Sequence, residues 1–203
     1  MTHLTGTRAV RPTTEEQQVG AIKVHEFTTL DGVVDAPVWT MDYGFPDDLA
    51  ASIGALTATS KGILLGRTTY QMFGPAWSSR TVEDDEGAPF FNDSRKYVVS
   101  STLTDAEADW NNSEVLGGYD AARLARLKQE VDGDLYVSGS ATLVRAMLAD
   151  GLVDELHLYV YPLAVGEGIR LFPEGAPRTP MALLGAERLS NGVAHLTYGP
   201  AAG

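Results

Sequence analysis

The chain has 203 residues, and its 15 basic and 27 acidic side chains give a formal net charge of −12. Such an acidic surface argues against binding to nucleic acid or to an anionic membrane surface. The sequence contains no cysteine, which excludes disulfides and thiolate chemistry. The length suits one large domain or two small ones, and we expect one.

Targeting signals are also missing from the sequence. No apolar run approaches the roughly 18 residues of a membrane span, and the N-terminal segment lacks the apolar core of a signal peptide. We therefore expect a cytoplasmic protein. Residues 1–20 are polar and predict a flexible arm or a strap on a partner, followed by one domain over residues 21–203.

From Ala21 onward, strand and helix patterns alternate along the chain. The predicted strands are 21–30, 62–66, 96–102, 134–140, 154–163, 181–189 and 193–199. The predicted helices are 46–60, 67–77, 120–131 and 141–151. We expect residues 78–94 to form a long exposed loop.

This alternation implies crossover units with parallel strands, whereas Asn191-Gly192 predicts an antiparallel hairpin at the end of the chain. In the strand at 154–163, leucines and a valine alternate with histidine and tyrosines, so each set should face one side of the sheet. The predicted fold is a three-layer α/β/α sandwich with a mixed, mostly parallel sheet.

Small and hydroxylic residues follow three of the predicted strands: Gly66-Arg67-Thr68-Thr69, Ser100-Ser101 and Ser138-Gly139-Ser140. Because parallel strands share one carboxyl edge, we expect these segments to lie together. Unpaired helix N–H groups, hydroxyls and a guanidinium would bind a polyanion there. The alternative is that each segment simply caps a helix.

Several other kinds of site find no support in the sequence. Gly166-Glu167-Gly168 lacks the third glycine and the strand–turn–helix context of a dinucleotide fingerprint. The four histidines show no metal-binding spacing, so we predict no metal site and interpret them as structural or surface residues. Ser140 lies in no nucleophile elbow.

Five blocks of the sequence resemble the dihydrofolate-reductase-like superfamily, and most closely the stand-alone proteins similar to the reductase (C-terminal) domain of RibD-type riboflavin-biosynthesis enzymes. The blocks are KVHEFTTLDGVV, ILLGRTTYQMF, KYVVSSTL, DLYVSGSATLVRAMLADGLVDELHLYVYPLAVGEGIRLF and VAHLTY. Their order and spacing match over about residues 21–199. The resemblance implies the same fold.

The resemblance also implies an NADPH site at the three strand ends. Gly66, Arg67 and Thr69 would bind the 2′-phosphate and pyrophosphate, with Thr68 as a further contact or a cap. Ser100 and Ser101 would complete the 2′-phosphate pocket. The turn under the pyrophosphate would be Ser138, Gly139, Ser140, Ala141 and Thr142.

On the substrate side, the resemblance makes Asp48 and Asp31 candidates for supplying or steering a proton. The alternatives are that Asp48 stabilises a helix start and that Asp31 is a turn residue. Trp39 and Phe45 could stack on a flat ring, and Gly166 belongs to a loop near the ligands. Residues 33–50 contain no Lys or Arg, which argues against a phosphoribosyl substrate.

The sequence therefore predicts an NADPH-dependent reductase that transfers hydride to a C=N or C=O of a small, flat heterocycle of pterin, flavin or aminopyrimidine type. One alternative is a non-catalytic nucleotide- or flavin-binding protein. Another is an accessory protein with a vestigial cleft. The resemblance favours a homodimer whose partners are small molecules.

Overall fold

The computed structural model describes residues 20–201. The predicted arm lies outside these residues, apart from Gly20. The strands are β1 Ile22–Thr29, β2 Ser60–Gly66, β3 Arg95–Val99, β4 Ser113–Gly117, β5 Asp134–Ser138, β6 Glu155–Tyr161, β7 Met181–Arg188 and β8 Ala194–Pro200. The helices are α1 Asp47–Thr59, α2 Arg67–Trp77, α3 Ala88–Asp93, α4 Ala121–Glu130 and α5 Ala141–Ala149.

All eight strands form one sheet in the order β4-β3-β2-β5-β1-β6-β8-β7. The first six strands of this order are parallel, and β8 pairs antiparallel with both β6 and β7. The predicted mixed sheet with a C-terminal hairpin is thus confirmed. Within the described part of the chain, no helix has the length and apolarity to cross a membrane.

The helices cover the two faces of the sheet. Leucines of α4 and α5 pack with Ile22, Val24 and Leu156 on one face, which we call the α5 face. Residues of α1, α2 and α3 pack on the other, the α1 face, where Tyr159 and Tyr161 contact Leu49. The alternation predicted for β6 is therefore confirmed, and the three layers follow from it.

Two elements were not predicted from the sequence. The expected exposed loop at 78–94 contains α3, whose Phe91 is buried and stacks on Trp77 with ring centroids 4.1 Å apart. The edge strand β4 was also missed. Both elements are short, so neither shows a clear periodic pattern in the sequence.

Lys96 of β3 fixes both of these elements to the sheet. Its side chain is fully buried, and Nζ donates to the backbone oxygens of Asn92 in α3 and Asn111 just before β4, at 2.7 and 2.8 Å. Nζ also lies 4.4 Å from the centre of the Trp110 ring. Burial lowers the pKa of Lys96 to about 8.

We expect Lys96→Met to lower the free energy of unfolding by about 2 kcal/mol, because two buried carbonyls lose a charged donor. Urea denaturation of the two proteins would measure the difference. The control is Arg126→Met on the exposed side of α4, which should change stability by less than about 0.5 kcal/mol. Equal stability of the two variants would contradict this role of Lys96.

Candidate functional site

The order of the parallel strands brings the three predicted segments to one edge of the sheet. The strands β3, β2, β5 and β1 are consecutive neighbours, so Ser100, Gly66 and Ser138 all lie where a strand ends. In open α/β sheets this carboxyl edge is where ligands bind. We call it the carboxyl edge below.

The starts of α2 and α5 are held together by hydrogen bonds across this edge. The Gly66 N–H donates to Ser140 Oγ at 2.9 Å, and the N–H and hydroxyl of Ser140 donate to Thr69 Oγ1 at 2.9 and 3.0 Å. Gly139 and Ser140 both have left-handed backbones, with φ of 59° and 60°. The Thr69 hydroxyl, predicted to bind phosphate, therefore shapes this turn.

Neither α2 nor α5 has a side-chain cap at its first turn. The leading N–H groups of both helices, including those of Thr68, Ala141 and Thr142, have no partner within their own helix. Each helix start also carries the positive end of a helix dipole. These donors fit phosphate groups, so the residues present are suited to a dinucleotide.

Arg67 adds a cation to this edge. Its guanidinium is exposed, and its Nη1 and Nε donate to Thr102 Oγ1 at 2.7 Å and to Gln71 Oε1 at 3.3 Å. Among residues 20–201 no carboxylate forms an ion pair with it. Hydrogen bonds from Thr104 and, to a smaller extent, the charge of Arg67 lower the pKa of Glu107, but the two side chains form no ion pair, so the exposed guanidinium can still bind a ligand.

The two serines after β3 differ in their surroundings. Ser100 is buried, and its Oγ accepts from the N–H groups of Thr102 and Leu103 at 3.2 and 2.9 Å, so it orders the turn. Ser101 is exposed on the same turn. Of the pair, Ser101 is the one free to contact a ligand.

Arg145 was not predicted as a site residue. Its Nη2 donates to Thr142 Oγ1 at 3.2 Å, which brings a second guanidinium to the first turn of α5. Its Nη1 donates to the Arg170 carbonyl at 3.2 Å. The spacing of three residues between Thr142 and Arg145 on one helix is the signal that could have identified this pair.

Asp31 holds a loop to the end of β1. Its carboxylate accepts from the Thr29 hydroxyl at 2.6 Å and from the N–H groups of Val165 and Gly166 at 3.2 and 2.8 Å, and Arg170 lies 3.4 Å away. These bonds, with that from Thr29 the strongest, lower the pKa of Asp31 to about 2. An ionised, fully engaged carboxylate does not favour a role in proton donation.

Asp48 is engaged in a similar way. Its carboxylate accepts from the N–H and hydroxyl of Ser190 at 2.6 and 3.0 Å and from the Leu49 N–H at 2.9 Å, and the bond from the Ser190 N–H is the main cause of its lowered pKa. These contacts tie the start of α1 to the turn between β7 and β8. The proton-transfer roles of Asp31 and Asp48 stay predictions that these contacts do not support.

The predicted substrate-side residues lie beyond the ends of β1 and β6. Trp39 packs edge-on against Tyr161, with ring centroids 5.0 Å apart, and is only partly exposed. Phe45 is 63% exposed. Gly166 has a φ of 83°, which favours glycine, and its N–H is the one bound by Asp31.

Two adjacent residues of β1, not predicted as site residues, bury polar atoms that have no partner. Within residues 20–201, only three buried side-chain atoms lack a hydrogen bond: His25 Nε2, Glu26 Oε1 and Asn191 Nδ2. A sequence signal existed for Glu26, because alternation places it on the apolar α5 face with Ile22 and Val24. Buried groups of this kind mark candidate functional positions.

His25 lies on the α1 face beside the end of β5. Its Nδ1 is 2.6 Å from the Tyr136 hydroxyl and 3.4 Å from Ser138 Oγ. Burial, and next the nearby His157 and His195, lower the pKa of His25 to about 3, so the ring is neutral. Burial raises the pKa of Tyr136, so the hydrogen bond between Nδ1 and this hydroxyl joins a neutral ring to a neutral phenol.

The other two described histidines form a chain on the α1 face. His157 Nε2 donates to Glu155 at 2.9 Å, and His157 Nδ1 then accepts from His195 Nε2 at 3.0 Å. His195 Nδ1 lies 3.1 Å from Ser52 Oγ, which is 2.8 Å from the Tyr159 hydroxyl. This chain connects α1 to β6 and β8, and no group placed to hold a metal ion occurs among the described residues.

Comparisons with known proteins agree with this fold. The Bacillus subtilis protein YyaP is 26% identical over 174 residues, covering 84% of this chain and 89% of YyaP. A solved Shewanella sp. PV-4 protein named for riboflavin biosynthesis superposes with a TM-score of 0.73 at 21% identity, covering 90% of this chain and 99% of its own.

Enterococcus faecalis dihydrofolate reductase, solved in complex with NADP(H), superposes with a TM-score of 0.57 at 16% identity, covering 89% of this chain and 96% of its own. The family model of the RibD C-terminal domain matches residues 21–195. Because this match spans most of the sequence, the chain belongs to the RibD C-terminal domain family.

Proposed function

We propose that the protein is an NADPH-dependent reductase acting on a small, flat heterocycle. The observation that carries this proposal is Arg67, an exposed cation without an ionic partner among the described residues, which lies beside two uncapped helix starts on an acidic protein. Family membership and the NADP(H) named for the E. faecalis neighbour support it.

The residues at the carboxyl edge divide into contacts and supports. Arg67 and Ser101 would hold the 2′-phosphate, and the first turn of α5, with Ala141 and Thr142, would hold the pyrophosphate. Thr69 and Ser100 would support these contacts, since their hydroxyls are already bonded within turns. When bound, NADPH supplies the hydride.

On the substrate side, Trp39 and Phe45 would flank a flat ring acceptor with a C=N or C=O bond. The loop that contains Gly166 would lie next to this ring, held in place by Asp31. Positioning the two reactants and excluding water would be the main contributions of the protein.

A second candidate, a nucleotide- or flavin-binding protein without turnover, is favoured by one observation. Both carboxylates predicted to supply a proton are ionised and engaged in hydrogen bonds. Rapid mixing with NADPH and a panel of pterins, flavins and quinones separates the two. We expect NADPH oxidation with at least one acceptor, whereas binding without oxidation across the panel would favour the second candidate.

We also propose that the protein acts as a homodimer. Exposed apolar side chains on the edge strand β7 and in the segment before it, namely Leu183, Leu184 and Phe172, offer a surface that a second copy could cover. Light scattering on the purified protein would show a mass of one chain if this proposal is wrong.

We expect Arg67→Ala to weaken NADPH binding roughly tenfold to hundredfold and to leave NADH binding nearly unchanged, because only NADPH carries the 2′-phosphate. Calorimetric titration of both cofactors would measure the effect. Arg126→Ala, an exposed arginine on α4, is the control and should bind both cofactors like the wild type. Equal losses for NADPH and NADH in Arg67→Ala would contradict the assignment.

We expect Asp31→Asn to lower the melting temperature at pH 7, because the N–H groups of Val165 and Gly166 then lose the charged carboxylate that accepts their hydrogen bonds. The folded-state pKa is about 2, below the ordinary 3.8, so the stabilisation is complete above pH 3.8 and disappears as the pH falls towards 2. Melting temperatures across this range test both points. The control is Asp42→Asn, an exposed acid in the segment before α1, which should show neither effect. An unchanged melting temperature for Asp31→Asn would contradict this role of the carboxylate.

A further inference from the structure

The strand order indicates where the nicotinamide of a bound NADPH would lie. This inference rests on the proposed function. Arg67 follows β2, next to the end of β3, and α5 starts after β5. The next strand along the edge is β1. A dinucleotide with its 2′-phosphate at Arg67 and its pyrophosphate at α5 would therefore bring its nicotinamide to β1.

At this point β1 loses its neighbour on one side. Pairing of β1 with β5 ends at His25 and Ser138, whereas pairing with β6 continues to Thr29. Glu26 is thus the first residue of β1 beyond its pairing with β5, and we call this end of the strand pairing the gap between β1 and β5. Beyond Ser138 the chain turns through Gly139 and Ser140 into α5.

The side chain of Glu26 lies on the α5 face, the same side of the sheet as the helix that would hold the pyrophosphate. Its neighbours along β1 on this face are Ile22 and Val24, which pack with Leu143 and Val144 of α5. Glu26 is 2% exposed, and Oε1 has no hydrogen-bond partner among residues 20–201. A buried polar group without a partner costs folding free energy, so its presence calls for a ligand.

The protonation state of Glu26 determines which hydrogen-bond donors and acceptors such a ligand needs. Burial raises its pKa well above the ordinary 4.5, which favours the neutral acid. A neutral carboxyl group has one O–H donor and one carbonyl acceptor. A primary carboxamide has the complementary set, an N–H donor and a carbonyl acceptor, so the two groups can form a cyclic pair of hydrogen bonds.

We propose that the carboxyl group of Glu26 binds the carboxamide of the nicotinamide ring. It thereby holds the ring from the α5 face at the gap between β1 and β5, which leaves the α1 face, where Trp39 packs against Tyr161, for the heterocyclic substrate. Glu26 is in this account a positioning residue for the ring, with no part in hydride transfer itself.

The experiment is a calorimetric titration of wild type, Glu26→Gln and Glu26→Met with two probes, NADPH and adenosine 2′,5′-bisphosphate, which lacks nicotinamide. Glutamine keeps a neutral donor and acceptor, whereas methionine keeps the length without either. We expect Glu26→Gln to bind NADPH within about threefold of wild type and Glu26→Met to bind it about tenfold more weakly. Both variants should bind the bisphosphate like wild type.

A third probe tests whether the carboxamide N–H of the nicotinamide donates to Glu26. The 3-acetylpyridine analogue of NADPH has a methyl group in place of the carboxamide nitrogen, so wild type should bind it more weakly than NADPH. Glu26→Met should bind this analogue as tightly as it binds NADPH. Glu26→Met should melt no lower than wild type, because the unpaired carboxyl is gone.

Different results would overturn the role of Glu26 and the NADPH site as a whole. NADPH affinity of Glu26→Met equal to that of wild type would overturn the role of Glu26 alone, as would equal losses for NADPH and the bisphosphate. Wild-type protein that binds neither probe would overturn the NADPH site itself, and the role of Glu26 with it.

Discussion

The early end of β5 is the constraint on which the candidate site depends. Because β5 lies between β2 and β1 and stops at Ser138, its last residue pairs with the middle of β1, and the rest of β1 has no strand partner on that side. The chain must turn sharply there, and the left-handed Gly139 and Ser140 make this possible. The bonds from Ser140 to Thr69 and Gly66 then fix the starts of α5 and α2 relative to each other.

Charge at this edge is opposite to that of the protein as a whole. The chain carries a net charge of −12, yet Arg67, Arg145 and two uncapped helix starts meet where the strands end. The carboxylates Asp31 and Asp48 accept hydrogen bonds from backbone N–H groups of other segments, which partly offset their negative charge. A phosphate-bearing ligand would therefore find a local positive site on an acidic surface.

The layered fold and the shared edge could be predicted because they follow from long, regular patterns. Alternating strands and helices imply parallel crossovers, and Asn191-Gly192 indicates the hairpin. The short elements α3 and β4 escaped prediction because they depend on tertiary contacts, among them the buried bonds of Lys96.

Individual side chains in the site were harder to predict. The sequence shows that Thr69 and Ser100 follow strands, but only the structure shows that their hydroxyls are bonded within turns. In the same way Asp31 and Asp48 were recognisable as acids, whereas their partners lie more than 130 residues away at Gly166 and Ser190. Glu26 was visible as a charged residue on an apolar face, but its position beside the gap depends on the register of β1 with β5.

A crystal structure of the protein grown with NADPH tests the central claim, that this edge of the sheet is a dinucleotide site, most directly. We expect electron density for the 2′-phosphate within hydrogen-bonding distance of the Arg67 guanidinium, with the pyrophosphate at the first turn of α5. Density for the cofactor at another surface, or an edge occupied only by solvent at saturating NADPH, would contradict it.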